Sequence, residues 1–158
     1  MQNEQIKDFT RRLSQCNRGG MIVIMYEIYF AYAADAKKAH SEGAREAYKE
    51  AVHKAQNVLS RLIGALDFSY PIAKNLYALY MYCRNSLSKS LYENTTGGIE
   101  DADRVMQRLY AAFSEAAKQD TSEPLMSNTQ QVYAGMTYGK SRLNENYMEN
   151  TQKRGFFA

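Results

Sequence analysis

Apolar residues recur at spacings of three and four through most of the first 118 residues, and this period limits the possible folds more than any other feature. One face of an α-helix repeats about every 3.6 residues, whereas side chains of a strand alternate. Four segments follow the helical spacing, at 20–41, 44–66, 71–94 and 99–118. No strand pattern of useful length competes, and only two prolines occur in the chain. The sequence therefore predicts an all-α fold.

The first segment contains the longest apolar run, residues 21–34, which is interrupted only by Glu27. A membrane span needs about 20 apolar residues, so the run predicts a buried helix and no membrane insertion. A helix that is apolar on every side lies at the centre of a bundle or beneath a partner. Asn17 is the predicted N-cap of this helix, and Gly43 is predicted to follow its last turn.

The other three segments each carry a single apolar stripe, with breaks near residues 67–70 and 95–98. Four helices of about 20 residues with short connections predict an antiparallel, up-and-down four-helix bundle. We assign residues 1–119 to this domain, with its core at 21–118, and 120–158 to a polar C-terminal extension containing Tyr and Met. The residues predicted to be buried include Leu62, Leu76, Leu79, Cys83 and Leu109.

The charges and cysteines exclude several classes of function. Twenty Lys and Arg residues oppose 17 Asp and Glu residues, and they are interspersed. Nucleic-acid binding favours clustered cations, so nucleic acid is not expected as the main partner. Cys83 lies on an apolar stripe and Cys16 is the only other cysteine, which indicates reduced thiols. Residues 1–16 are polar and lack the apolar core of a signal peptide, so a cytoplasmic location is expected.

Glu50 and His53 have the Glu-x-x-His spacing of di-iron bundles. A complete site needs a second such pair, but the only other histidine, His40, follows Lys37 at that spacing. His53 could instead accept a phosphoryl group, with Lys49 and Lys54 nearby, although an exposed polar side chain is the simpler interpretation. The sequence contains no Gly-rich phosphate loop and no nucleophile elbow. We expect no enzymatic activity, no metal and no cofactor.

The chain is rich in tyrosine, with 13 tyrosines and no tryptophan. On the third segment, a helical advance of about 100° per residue from Leu76 places Tyr80 within the core stripe. Its outward flanks carry Tyr77 and Met81 on one side, and Asn75 and Tyr82 on the other. Tyr and Met suit adaptable surfaces that bind helices. Alternatively, the helix is a wide core element covered by Tyr133, Met136 and Tyr138 of the extension.

Two adjacent stretches have a more distinctive composition. Residues 54–59 (KAQNVL) lead to Leu66-Asp67, and residues 72–82 then read IAKNLYALYMY. Met25-Tyr26-Glu27 and residues 109–116 add to the pattern. Over residues 21–118 the chain resembles the flagellar secretion chaperone family FliS, in which a helix ending in Leu-Asp or Leu-Asn precedes an IAxNLxxLYxY helix.

This resemblance implies a cytoplasmic flagellin chaperone, present as a monomer or weak homodimer. Such a protein binds the C-terminal segment of flagellin, prevents premature polymerisation and delivers it to a component of the flagellar export gate. From the motif and the flanks of the third segment, the predicted partner-binding residues are Tyr26, Ile72, Asn75, Leu76, Tyr77, Tyr80, Met81 and Tyr82. Two alternatives are a paralogue that binds another flagellar protein, and a phosphotransfer bundle that uses His53.

Overall fold

The computed structural model describes residues 3–126, which contain five helices and no strand. They are α1 (Asn3–Gln15), α2 (Arg18–Ser41), α3 (Arg45–Gly64), α4 (Ile72–Glu93) and α5 (Gly97–Lys118). The all-α prediction is confirmed. The four predicted helical segments correspond to α2–α5, whereas α1 at residues 3–15 was not predicted. The proposed tail contacts of Tyr133, Met136 and Tyr138 lie outside the described residues.

Helix α1 contains no buried residue. It contacts α2, where the Arg12 guanidinium lies 2.5 Å from the Glu27 carboxylate. Ile6, Phe9 and Leu13 follow the helical spacing and are the signal from which this helix could have been predicted. The charged residues between them make the segment polar overall, and for this reason the short apolar stripe was not recognised as a helix.

Both ends of α2 follow the expected local chemistry. The side chain of Asn17 accepts a hydrogen bond from the Gly20 amide at 2.9 Å, which confirms the predicted N-cap of α2. Gly43 follows α2 with a φ of +68°, as predicted for the residue after a helix. The break predicted at 95–98 is too long, because α5 already begins at Gly97.

Helix α2 packs against α3 and α5, and α4 packs against α3 and α5. Along α2 and α5 the contacts run in opposite order: Glu27 accepts a hydrogen bond from Tyr110, while Lys37 pairs with Asp103 at 2.8 Å. The buried core combines small and aromatic side chains. Its largest fully buried members are Tyr26, Tyr29, Tyr48, Tyr80, Leu59, Leu62, Leu87, Ile99 and Met106.

Burial confirms two of the five predicted core residues. Leu62 and Cys83 are buried, Leu76 and Leu109 are half-buried, and Leu79 is 38% exposed, so its predicted burial is wrong. The buried stripe of α4 is centred between Leu76 and Tyr80 rather than on Leu76 itself. Leu79 consequently lies about a fifth of a turn away from its centre.

Candidate functional site

An aromatic and apolar surface lies along α4 and the loop that precedes it. Its exposed members in the first part of α4 and in the loop are Phe68, Tyr70, Ile72, Tyr77, Leu79 and Tyr82. We refer to these residues, together with Asn75, Leu76 and Met81, as the α4 surface. Large apolar patches on a folded chain commonly mark sites of protein association.

An open cavity of about 210 Å³ lies at the end of this surface where α4 begins. Ile72 and Leu76 line one side, and Ile22 of α2 and Phe113 of α5 line the opposite sides. Leu66 at the end of α3 also contributes to the wall. The cavity offers an apolar side chain a place to insert between four elements of the fold.

Tyr77 and Tyr82 are the large aromatic side chains that α4 itself presents on this surface. Tyr77 is 41% exposed, and its ring meets that of Phe68 edge to face, with centroids 6.0 Å apart. Tyr82 is 50% exposed and Asn75 is exposed, whereas Met81 is half-buried. The structure thus brings four flank residues onto an accessible part of the helix, as the helical spacing predicted.

Tyr26 and Tyr80, which were also assigned to the partner surface, lie inside the core. They are 0% and 2% exposed, and their hydroxyl oxygens are 2.6 Å apart. Burial raises the pKa of both phenols. The ring of Tyr26 also packs against Phe113, with centroids 5.6 Å apart. Tyr26 therefore supports the α4 surface from beneath, whereas Tyr80 also lines the wall of the cavity at the start of α4.

The loop residues Phe68 and Tyr70 were missed as site residues. From the sequence, residues 67–70 were predicted only to break the helix. Asp67 accepts a hydrogen bond from the Ser69 amide at 2.9 Å, and this turn leaves both aromatic side chains exposed at 55% and 63%. Two aromatic residues in so short a turn are the signal that could have identified them.

The Glu50–His53 pair is not assembled as a metal site. The Glu50 carboxylate lies 2.6 Å from the Lys54 ammonium, and Lys54 lowers the pKa of this carboxyl. His53 is exposed, and its Nδ1 lies 3.2 Å from the Gln56 side-chain oxygen. Within residues 3–126, no group of three or more His, Cys, Asp or Glu side chains is placed to hold a metal ion.

None of the helices in the described part of the chain combines the length and the hydropathy required to cross a membrane.

A comparison with protein families matches residues 1–120 to the family described as flagellar protein FliS. The chain belongs to the FliS family. Members of FliS are flagellar chaperones that act in flagellum assembly and export. The match begins at residue 1 and therefore includes α1, whereas the resemblance seen in the sequence began at residue 21. A search of curated proteins found no match.

Proposed function

We propose that this FliS protein is a cytoplasmic export chaperone for flagellin. It binds the C-terminal segment of flagellin, prevents that segment from polymerising early and delivers it to the flagellar export gate. Membership of the FliS family supports a flagellar chaperone role in general. The observation that carries the more specific proposal is the exposed aromatic α4 surface next to an open apolar cavity.

The proposed scaffold is an up-and-down four-helix bundle formed by α2–α5, with α1 lying on α2. Its support is the opposite order of contacts along neighbouring helices. Gln56 of α3 donates to Ser88 near the end of α4 at 2.9 Å. Further along α3, Leu62 lines a cavity together with Leu76, which lies near the start of α4. Such a bundle holds the α4 surface on a rigid element, which limits the entropy lost when a partner binds.

The α4 surface suits the apolar face of an amphipathic helix. A large aliphatic side chain of the partner would enter the cavity beside Ile72 and Leu76. Tyr77 and Tyr82 would bury area on either flank, and Asn75 would fix the register by hydrogen bonding. Ordering a disordered client costs several kcal/mol of conformational free energy. A wide binding surface is therefore needed for firm binding.

Release in this proposal needs neither nucleotide nor cofactor. The client segment leaves when the export gate competes for it. We propose that the chaperone acts as a monomer or weak homodimer, because the α4 surface must remain accessible to the client.

The proposal is tested by titrating the full chain with a peptide of the C-terminal segment of flagellin. The chain contains no tryptophan, so a tryptophan introduced into the peptide reports binding by its emission alone. We expect saturable binding together with a gain in helical circular dichroism as the peptide orders. A peptide of the same composition in scrambled order is the control. Binding of both peptides alike, or of neither, would overturn the proposal.

A further inference from the structure

A second apolar groove lies between α2 and α3, away from the α4 surface. Its cavity measures about 500 Å³, and α2 lines it with Met21, Met25, Ile28 and Tyr32 at helical spacing. Val58 and Asn57 of α3 and Leu13 of α1 complete the wall. The α2 stripe from Met21 to Tyr32 extends about 16 Å, at 1.5 Å per residue, so the groove is long enough for about three turns of helix or a short extended segment.

The α3 edge of this groove is cationic. Lys54 and Arg61 both line it, and none of its lining residues is acidic. Lys54 pairs with Glu50 at 2.6 Å, whereas Arg61 has no ion-pair partner among residues 3–126. The cavity at the start of α4 differs in this respect, because its lining includes Asp67 and no cation. The groove therefore favours an apolar occupant that carries negative charge.

The described chain ends beside this groove. After α5, Asp120 accepts a hydrogen bond from the Gly19 amide at 3.1 Å, and Asn17 donates to the Asp120 carbonyl at 3.0 Å. The Leu125 amide then donates to the Cys16 carbonyl at 3.0 Å. This path, which we call the strap (residues 119–126), crosses from the end of α5 over the start of α2 to the end of α1. Leu13, one helical turn before Cys16, already lines the groove.

We propose that the groove between α2 and α3 binds the chain's own segment 143–149. This segment reads LNENYME and combines Leu143, Tyr147 and Met148 with Glu145 and Glu149. Glu145 and Glu149 are the only acidic residues in the sequence after the strap. Residues 133–142, in contrast, carry Lys140 and Arg142 and no acid. Residues 127–142 reach the whole groove easily, because an extended chain spans about 3.3 Å per residue.

This inference concerns a surface other than the proposed client surface, and its test requires no client. In the full chain with Cys16→Ser, one variant carries Asn57→Cys at the groove edge and Asn146→Cys in the segment. A matched control carries Asn75→Cys on the α4 surface with the same Asn146→Cys. Asn57 and Asn75 are both exposed. Burial raises the pKa of the remaining Cys83 thiol to about 12, which keeps it out of thiol exchange.

Under mild oxidation we expect the Asn57→Cys pair to form an intramolecular disulfide about tenfold faster than the control pair. A bound segment has a higher effective concentration at its own groove than at a surface that its tether meets only by diffusion. Equal rates, a faster reaction at Asn75→Cys, or disulfides mainly between two copies would each overturn the proposal.

Charge reversal separates specific binding from proximity alone. Glu145→Lys with Glu149→Lys should lower the crosslinking rate at Asn57→Cys to that of the control pair. Adding Lys54→Glu and Arg61→Glu should restore most of the rate, because the opposite charges again face each other. An unchanged rate after the first reversal would show that the acidic residues do not direct the segment to this groove.

Discussion

The phenol hydroxyls of Tyr26 in α2 and Tyr80 in α4 form a hydrogen bond of 2.6 Å within the core, directly beneath the α4 surface. Each hydroxyl satisfies the other in a place that water does not reach. The two rings are tilted, with centroids 6.5 Å apart, and Tyr26 also meets Tyr110 and Phe113 of α5. This pair therefore ties α4 to α2, and through the Tyr26 ring to α5.

Tyr80→Phe should lower the free energy of unfolding by about 1–3 kcal/mol, because it leaves the Tyr26 hydroxyl buried without its partner. The double variant Tyr26→Phe with Tyr80→Phe removes both polar groups and should lose less than the sum of the two single changes. Urea denaturation followed by circular dichroism measures both. Strictly additive losses would show that the hydroxyls are not coupled.

Gly98→Ala should destabilise the fold by about 1–3 kcal/mol, as overpacked sites do. An added Cβ would lie 2.0 Å from the backbone oxygen of Ser86, so α5 could no longer approach α4 so closely. Gly97→Ala is the matched control, since nothing lies within 4 Å of its added Cβ. That control should be neutral or gain up to about 1 kcal/mol from helix propensity. Equal thermal midpoints for the two variants would contradict this role of Gly98.

Two leucines of α4 should respond differently to alanine. Leu87→Ala removes a fully buried side chain and should cost about 2–5 kcal/mol, whereas Leu79→Ala alters a side chain that is 38% exposed and should cost clearly less. Chemical denaturation of both variants tests the corrected position of the buried face. A larger loss at Leu79 than at Leu87 would contradict this position of the buried face.

Tyr77→Ala and Tyr82→Ala should each weaken binding of the flagellin peptide by about 1–3 kcal/mol, the range of aromatic anchors at interfaces. Their unfolding should change little, because both side chains are substantially exposed. Tyr92→Ala is the control, since Tyr92 lies on the same helix and is 92% exposed at its far end. If all three variants bind as the unmodified chain does, the client surface lies elsewhere on the fold.

The hydrogen bonds that the Asp120 carboxylate accepts in the strap should weaken in acid. Hydrogen bonds from Ser122, and then from the Gly19 amide, hold the pKa of the Asp120 carboxyl below its ordinary value of 3.8. Because the folded-state pKa is lowered, this stabilisation is complete above pH 3.8 and is lost as the pH falls through the lowered value. Asp120→Ala should therefore speed hydrogen exchange at Gly19 near neutral pH. The difference from the unmodified chain should vanish in acid, and a difference that persisted there would contradict the assignment.

The all-helical class followed from the sequence, because the spacing of apolar residues is a local property of the chain. The cap at Asn17, the turn at Gly43 and the outward positions of Tyr77 and Tyr82 followed for the same reason. Each depends only on the helical period or on hydrogen bonds between near neighbours. The IAxNLxxLYxY resemblance likewise agreed with the family match over residues 1–120.

Other features depend on which helices meet, and only the tertiary structure decided them. Tyr26 and Tyr80 were assigned to a partner surface, but their hydroxyls form a hydrogen bond in the core between residues 54 positions apart in the sequence. Gly98 was predicted to lie in a loop, but it belongs to α5 and packs against the Ser86 backbone of α4. Helix α1 was missed because charged residues separate the members of its short apolar stripe, and its ion pair with Glu27 of α2 is visible only in the tertiary structure. Local periodicity determines how a helix is patterned, whereas burial depends on the neighbours that cover each face, and those contacts join residues far apart in the chain.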